Sequence, residues 1–166
     1  MNGTDITGPV AVYDDDHYYM GNVIAEQLAL QGHEVHLVAP QPIFGGWMSY
    51  TLEQPRMIGA LLKAGVRMYP NSVANTWDRH RLHIRRPDTD DELPPIAATT
   101  LIAVTARLPN DSLEALDGDR VVRIGDCVAP GLIQGAVFAG HFAARAYLGE
   151  ASASGHFRRE TPTLFD

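Results

Sequence analysis

The stretch from Pro9 to Pro40 constrains the fold more than any other part of the sequence. It opens with a short apolar run, passes through an acidic turn into a segment with apolar residues at helical spacing, and ends in a second apolar run, Glu34–Val38. Gly32 follows the helical segment, where helices often end on a left-handed residue. A strand–turn–helix–strand unit of this length is typical of a parallel crossover. The sequence therefore predicts an α/β fold with a parallel sheet.

The acidic turn departs from the pattern of dinucleotide-binding folds. Those folds place Gly-x-Gly-x-x-Gly there, so that bare backbone and a helix N-terminus approach the pyrophosphate. With Gly21 as the third glycine, Asp16 and Tyr18 occupy the first two positions. Asp14 and Asp15 add further negative charge where a phosphate would lie, and like charges repel. The sequence therefore predicts a degenerate dinucleotide loop that does not bind NAD(P).

A second residue of the dinucleotide signature is also missing. Ala39 and the proline after it stand where a ribose-binding acid would follow the second strand. A rival interpretation of the turn is a cation site formed by Asp14, Asp15 and His17. Adjacent residues do not all point one way, however, and a helix N-terminus favours carboxylates without any metal. We therefore predict no metal site.

Charge and cysteine content narrow the class of protein. The formal net charge of −7 argues against a nucleic-acid or membrane-surface partner. No apolar run approaches the ~18 residues of a membrane span, and the first residues lack the features of a signal peptide. Cys127 is the only cysteine, which excludes an internal disulfide and fits a reducing compartment. We therefore expect a cytoplasmic protein.

The segment after the crossover unit extends the α/β pattern. Three aromatic residues around a Gly-Gly pair are expected to fold back over the sheet: Phe44, Trp47 and Tyr50. A helix is predicted from about Leu52 to Ala64, followed by a third strand, Val66–Tyr69. The buried face of that helix is predicted to consist of Met57, Ile58, Leu61 and Leu62.

After the third strand the apolar pattern becomes alternating. Ser72–Arg86 predicts an antiparallel hairpin or meander, and His80 and His83 within it are interpreted as part of a charged strand edge. The following PDTDDELPP is predicted to be a mobile acidic loop bounded by prolines. Thr99–Thr105 is a continuous apolar run, as expected of a central parallel strand, and ARLPNDS after it is predicted as a turn.

The last third holds a second informative stretch, VVRIGDCVAPGLIQGAVFAGH. Val121–Ile124 is predicted as a strand that ends in Gly125 and Asp126, and a helix with a face of small residues is predicted from about Gly131 to Leu148. An aspartate between a strand end and a helix N-terminus lies where open α/β sheets bind ligands. The alternative is an ordinary turn residue.

Six short segments of the sequence, in this order, resemble those of one protein family: YDDDHYYMG, TLEQPR, VTARLPND, RIGDCVAPG, VFAGH and FRRE. They resemble the C-terminal portion of trimethylamine and dimethylamine dehydrogenase and their relatives, histamine dehydrogenase and 2,4-dienoyl-CoA reductase. In that family an N-terminal barrel holds FMN and an iron–sulfur cluster. Two domains similar to the FAD and NADPH domains of glutathione reductase follow it. The barrel, the iron–sulfur cysteines and the glycine-rich ADP loop have no counterpart in this sequence. No catalytic residue of the family is therefore assigned to it.

The resemblance implies a Rossmann-like parallel sheet with an antiparallel meander. Residues 1–111 would form a degenerate NAD(P)-binding-like domain, and residues 112–166 the C-terminal segment of an FAD/ADP-binding-like domain. Asp126 matches the aspartate that meets the ribityl chain of FAD in flavin disulfide reductases, with Gly125 and Ile133 beside it. FAD or ADP would be shared with a partner chain. Electrons would pass to a separate acceptor, such as electron-transferring flavoprotein, and not to NAD(P).

On this resemblance we expect a small non-catalytic subunit of a heteromeric amine-dehydrogenase-like enzyme. Its partner would be a larger flavoprotein chain with the barrel, the FMN, the iron–sulfur cluster and the ADP loop. Without that partner, the strand and helix of the last third would expose an unpaired edge and an apolar face. The alternatives are an NAD(P)H-binding electron-transfer module, a free-standing nucleotide-binding or interaction protein, and a fragment of a longer enzyme.

Overall fold

The fold combines a parallel and an antiparallel sheet. A computed structural model describes residues 6–109 and 121–149, and the chain separates into two units, Met1–Ala106 and Arg107–Asp166. In chain order the elements are β1 (Val10–Asp14), α1 (Met20–Leu30), β2 (Val35–Val38), a 3₁₀ helix (Gly46–Thr51), α2 (Gln54–Lys63), β3 (Arg67–Tyr69), β4 (Val73–Trp77), β5 (Arg81–Arg85), β6 (Glu92–Ala97), β7 (Thr100–Val104), a 3₁₀ turn (Gly125–Cys127) and α3 (Ile133–Tyr147).

The parallel sheet has the strand order β3-β2-β1-β7. Its strands arise where the sequence alternates with helical segments, and the crossover β1-α1-β2 lies where the periodicity predicts it. Gly32 has a φ of 92°, and the chain turns there from α1 towards β2. The predicted α/β fold with a parallel sheet is confirmed.

The helices cover one face of the parallel sheet. Val10 and Val12 of β1 and Leu37 of β2 point to that face, because alternate residues of a strand share a side. They pack with Ala25 of α1 and Leu61 of α2, all fully buried. This layer is the main apolar core of the first unit.

The antiparallel sheet covers the opposite face. Its order is β4-β5-β6, and Leu82, Ile84 and Ile96 pack against Ala11 and Val38 of the parallel sheet. The predicted hairpin or meander is therefore present, and His80 is exposed, as expected for a charged edge. The first unit is thus a three-layer structure: helices, parallel sheet, antiparallel sheet.

The prediction of an acidic loop is wrong for the second half of the segment PDTDDELPP. Strand β6 begins at Glu92 and contains Pro94 and Pro95, which we assigned to the loop. Proline is tolerated because β6 is an edge strand and because its register with β5 shifts at the two prolines, neither of which is paired with a residue of β5. Asp88 and Asp90 remain in the turn before it.

Two predictions around α2 also need correction. The helix begins at Gln54 behind a 3₁₀ helix, and Leu62, predicted to be buried, is 60% exposed. In the aromatic loop, Phe44 is buried in the core, but Trp47 and Tyr50 face solvent. Only the first of the three aromatic residues folds back as predicted.

The second unit differs from its sequence-based prediction at the strand. Val121 forms an isolated bridge and residues 122–124 have no regular structure, whereas α3 lies within its predicted range. In the described part of this unit, residues 107–109 and 121–149, no side chain is buried. The predicted turn ARLPNDS is described only up to Pro109, and FRRE lies outside the described residues. Among the described helices, none has the length and apolarity to cross a membrane.

Candidate functional site

The carboxylate of Asp14 occupies the turn between β1 and α1. Asp14 is the last residue of β1 and is only 1% exposed. Its Oδ1 accepts hydrogen bonds from the backbone N–H of Asp16 at 3.2 Å and of His17 at 3.3 Å. These amides lie in the loop that holds phosphate in dinucleotide-binding folds. The chain thus supplies its own anion to this turn.

Gly21 leaves the space that Asp14 fills. A Cβ at Gly21 would lie 2.6 Å from Cγ of Asp14, far inside van der Waals contact. In dinucleotide-binding folds the third glycine allows close helix–strand packing. Here the same missing side chain accommodates the carboxyl group of Asp14 between β1 and α1.

Burial raises the pKa of Asp14 above its ordinary value, since a charged carboxylate loses hydration there. The hydrogen bonds from Asp16 and His17 act in the opposite direction because they stabilise the charged form. The carboxyl group fills the space whether or not it carries a proton. The space next to Gly21 is therefore occupied in both protonation states.

The other residues of the degenerate loop lie close by but in different environments. Asp15 is exposed, with its Oδ1 3.4 Å from Nε2 of His17. His17 has a φ of 58°, a left-handed conformation that is unusual for a residue other than glycine. Tyr18 contacts Tyr19 edge to face, with ring centroids 5.2 Å apart. In the described chain, no group of three or more His, Cys, Asp or Glu has a metal-binding arrangement.

Two cavities flank this loop. One, of about 420 Å³, lies between the start of α1 and the 3₁₀ helix, and its walls are Tyr18, Tyr19, Val23, Met48, Thr51 and Glu53. The other, of about 290 Å³, lies beside the exposed Trp47 and Tyr50, whose ring centroids are 5.8 Å apart. The hydrogen bond from Trp47 N to His17 O at 3.2 Å joins the loop to the 3₁₀ helix.

The predicted FAD/ADP residues lie together in the second unit. Gly125 has a φ of 65°, and Oδ1 of Asp126 accepts a hydrogen bond from Gly131 N at 3.1 Å. Ile133 is the first residue of α3 and is 84% exposed. Cys127 Sγ donates to Ile124 O at 2.9 Å. Asp126 thus acts as a turn residue ahead of α3, and its side chain also remains exposed to solvent.

The sequence interpretation missed the pairing of Asp14 with Gly21, because it assigned Asp14, Asp15 and Asp16 together to the place where phosphates bind. The signal was present in the strand period. Asp14 follows Val10 and Val12 at intervals of two, which places it on the helix-facing side of β1. A residue on that side meets the first turn of α1, where Gly21 lies.

The comparisons with known proteins agree with this architecture. Residues 2–90 match the model of the OYE-like second alpha/beta domain. Dimethylamine dehydrogenase from Hyphomicrobium sp. (strain x) is 28% identical over 164 residues, which cover 82% of this chain and 22% of that protein.

Two solved structures are similar over most of the chain. Histamine dehydrogenase from Rhizobium sp. 4-9 has a TM-score of 0.75 and 32% identity, covering 97% of this chain and 26% of its own. The 6-hydroxypseudooxynicotine amine oxidase from Pseudomonas geniculata N1 has a TM-score of 0.74 and 30% identity, covering 84% of this chain and 22% of its own. The chain spans about a quarter of the length of these relatives. It belongs to the family of the OYE-like second alpha/beta domain and, within that architecture, matches the trimethylamine and dimethylamine dehydrogenase family.

Proposed function

We propose that this chain is a small, non-catalytic subunit of a flavin-dependent oxidoreductase of the amine-dehydrogenase type. The first unit contributes a Rossmann-like domain that is closed to NAD(P). The second contributes the last segment of an FAD/ADP-type domain, whose remainder we assign to a larger flavoprotein chain. The substrate chemistry, the FMN and the iron–sulfur cluster would then belong to that partner.

The observation that carries this proposal is the uncovered state of α3. Ile133 is 84% exposed, Val137 66% and Tyr147 92%, and the described part of this unit buries no side chain. A 15-residue helix gains most of its stability from packing an apolar face, and the described residues of this unit bury no such face of α3. Ile133 and Val137 lie one turn apart on α3, and exposed apolar surface of this kind is typical of an interaction site. A chain that completes the domain would supply the missing cover.

The closed turn in the first unit supports the assignment of electron flow. Asp14 is buried against Gly21 in this turn, and Tyr18 adds bulk at the second glycine position. A nicotinamide cofactor would have no anchor for its pyrophosphate. We therefore assign electron delivery to a separate protein acceptor, such as electron-transferring flavoprotein, rather than to NAD(P).

The residues at the start of α3 fit a nucleotide such as FAD or ADP. The carboxylate of Asp126 is exposed and can accept a hydrogen bond from a ribose or ribityl hydroxyl. The N-cap residue Leu132 makes no side-chain capping bond, which leaves the positive end of α3 to an anion. Gly125 and Ile133 would flank the bound group. FAD would supply electron transfer there, whereas ADP would be structural.

The test is purification of the tagged full chain from the cells that make it. We expect a larger chain to co-elute together with flavin and iron–sulfur absorbance. Val137→Lys places a charge on the uncovered face of α3 and should reduce the yield of the larger chain about tenfold or more. Asp126→Ala should leave the complex intact but lower the amount of FAD or ADP released on denaturation.

Leu30→Lys is the matched control, since Leu30 is 67% exposed but lies on α1 in the first unit. It should leave co-elution unchanged. A chain that purifies alone without flavin, or equal co-elution for Val137→Lys and the wild type, would contradict the proposal. A titration with NADH separates the electron-transfer alternative, because micromolar affinity would require a phosphate site that Asp14 now fills.

A further inference from the structure

Among the described residues, four strands lie at the outside of a sheet, and they differ in how they are protected against pairing with another chain. Proteins usually protect an outer strand by making it short, or by a charge, a proline or a bulge. Strand β3 has three residues and carries Arg67, β4 shifts its register against β5 at residues 74–76, and β6 contains two prolines. Strand β7 has none of these features. It pairs with β1 over five residues without a shift, and Thr99–Thr105 contains neither a charged residue nor a proline.

The open side of β7 carries the backbone groups of two residues. The N–H of Thr100 donates to the residue before β1 at 3.3 Å, and the carbonyl of Val104 accepts from Asp15 N at 2.8 Å. Alternate residues from Thr100 to Val104 therefore bond to β1, because successive residues of a strand direct their backbone groups to opposite edges. The N–H and C=O groups of Leu101 and Ala103 point away from β1. Each of these two residues offers a donor and an acceptor to a further strand.

The side chains of β7 suit a pairing of this strand with itself. The helix-facing side of β7 carries only β-branched residues, Thr100, Ile102 and Val104, and the opposite side carries Leu101 and Ala103. Antiparallel pairing about a two-fold axis at Ile102 places this residue opposite its own copy, and Leu101 opposite Ala103 of the other chain. β-Branched residues favour such cross-strand pairs, and a large residue opposite a small one packs without a clash. Although the chain has a net charge of −7, no like charges of this strand meet at the junction.

We propose that the outer edge of β7 is an interaction surface for a second copy of this chain. The two β7 strands pair antiparallel about a two-fold axis at Ile102, and the backbone groups of Leu101 and Ala103 bond across the axis. The two parallel sheets then form one continuous sheet. A two-fold contact of this kind is closed, so that association stops at two copies. This surface belongs to the first unit, and the inference does not rest on the function proposed above, whose interface lies on α3.

The first experiment is analytical ultracentrifugation of the full chain from about 20 μM to about 1 mM. A contact between two short strands buries less than the roughly 1,000 Å² of stable interfaces, so we expect a dissociation constant on the order of 100 μM. Ala103→Lys places a charge at the open edge and should weaken the association about tenfold or more. Ala97→Lys is the matched control, because Ala97 is also an exposed alanine of an outer strand, β6, and it should leave the association unchanged.

Cross-linking tests the register of the pairing. Residues opposite each other in a non-hydrogen-bonded antiparallel pair have Cα atoms about 4.5 Å apart, within reach of a disulfide. Ile102→Cys in a Cys127→Ser background should therefore form a disulfide-linked dimer on mild oxidation. Leu101→Cys in the same background would lie diagonally about 7–8 Å from its copy, which is too far for a disulfide, and should stay monomeric on a reducing-agent-free gel.

Four outcomes overturn the proposal. The chain stays monomeric up to about 1 mM, Ala97→Lys weakens the association as much as Ala103→Lys, or Leu101→Cys cross-links as readily as Ile102→Cys. In the fourth, Val137→Lys abolishes the association and Ala103→Lys leaves it intact, which would place the contact on α3. If the purified chain is monomeric but Ala103→Lys loses a co-eluting larger chain, the edge of β7 belongs to that protein and not to a second copy.

Discussion

The two units of the chain differ in how many side chains each buries and in how its aspartate before a helix is bonded. In the first, Leu37 and Leu61 are completely buried, and three layers cover each other. In the second, residues 107–109 and 121–149 bury no side chain. The same contrast holds for two aspartates before a helix. Asp14 is 1% exposed and bonds to its own loop, whereas Asp126 keeps an exposed carboxylate.

The difference shows where the free energy of each unit comes from. Ordering one residue costs about 1–2 kcal/mol of conformational entropy, which buried apolar surface must offset. The first unit contains that surface, so its fold is explained within the chain. The described part of the second, residues 107–109 and 121–149, does not bury such surface. Four predictions test this contrast, from the largest effect to the smallest.

The largest difference between a buried and an exposed position is expected at two neighbouring leucines of α2. Leu61→Ala should lower the free energy of unfolding by about 2–5 kcal/mol because it leaves a cavity in the core. Leu62→Ala, at a position 60% exposed, should change it by less than about 0.5 kcal/mol. Urea denaturation of the full chain measures both. Equal losses for the two variants would show that the core is not where the structure has it.

A second pair of variants tests the packing of Asp14 against Gly21 in the turn between β1 and α1. Gly21→Ala should destabilise the chain by about 1–3 kcal/mol, because the added Cβ would meet the Asp14 carboxyl at 2.6 Å. Gly59→Ala lies in α2 with open space around the new methyl group and should stabilise by about 0.5–1 kcal/mol. The double variant Asp14→Ala/Gly21→Ala should recover part of the loss. A neutral Gly21→Ala would mean that Asp14 does not occupy this space.

Asp14 should also contribute a pH dependence. Burial raises its pKa in the folded state, so the unfolded chain releases this proton at lower pH than the folded chain does. The contribution of Asp14 to stability therefore falls as pH rises from its unfolded pKa of about 4. Asp14→Asn retains an oxygen acceptor but does not titrate. Its free energy of unfolding minus that of the wild type should increase from about pH 3 to about pH 7; a constant or decreasing difference would contradict the burial of the carboxyl group.

The smallest effect on stability is expected in the second unit. Val137→Ser should change the free energy of unfolding of the chain alone by less than about 0.5 kcal/mol, because the side chain is 66% exposed. Urea denaturation and the amide exchange of α3 measure it. A loss above about 1.5 kcal/mol would show that α3 packs into a core of this chain, and the contrast between the units would fail.

Local patterns explain the part of the fold that the sequence predicts. Strands β1 and β2, helix α1 and the left-handed Gly32 depend on periodicity and turn chemistry within about 30 residues. Strand β6 was not predicted because Pro94 and Pro95 are typical of loops. Whether a strand tolerates proline depends on its position at the edge of a sheet, which the local sequence does not specify. Val121–Ile124 was predicted as a strand from composition, but a strand needs a neighbour to pair with.

In the candidate sites, too, some features depend on the local sequence and others on how the elements pack. The failure of the glycine pattern at Asp16 and Tyr18 is visible in sequence, because it concerns residue identity at fixed spacing. The burial of Asp14 against Gly21 is not visible in that way, because it depends on which side of β1 faces α1.

The two prolines of β6 have a consequence for the behaviour of the chain in concentrated solution. An outer strand normally offers a row of amide donors to any extended peptide that collides with it. Pro94 and Pro95 both lack an N–H, and because successive N–H groups of a strand point to opposite edges, one of these prolines interrupts that row. Edge-to-edge association through β6 is thereby disfavoured.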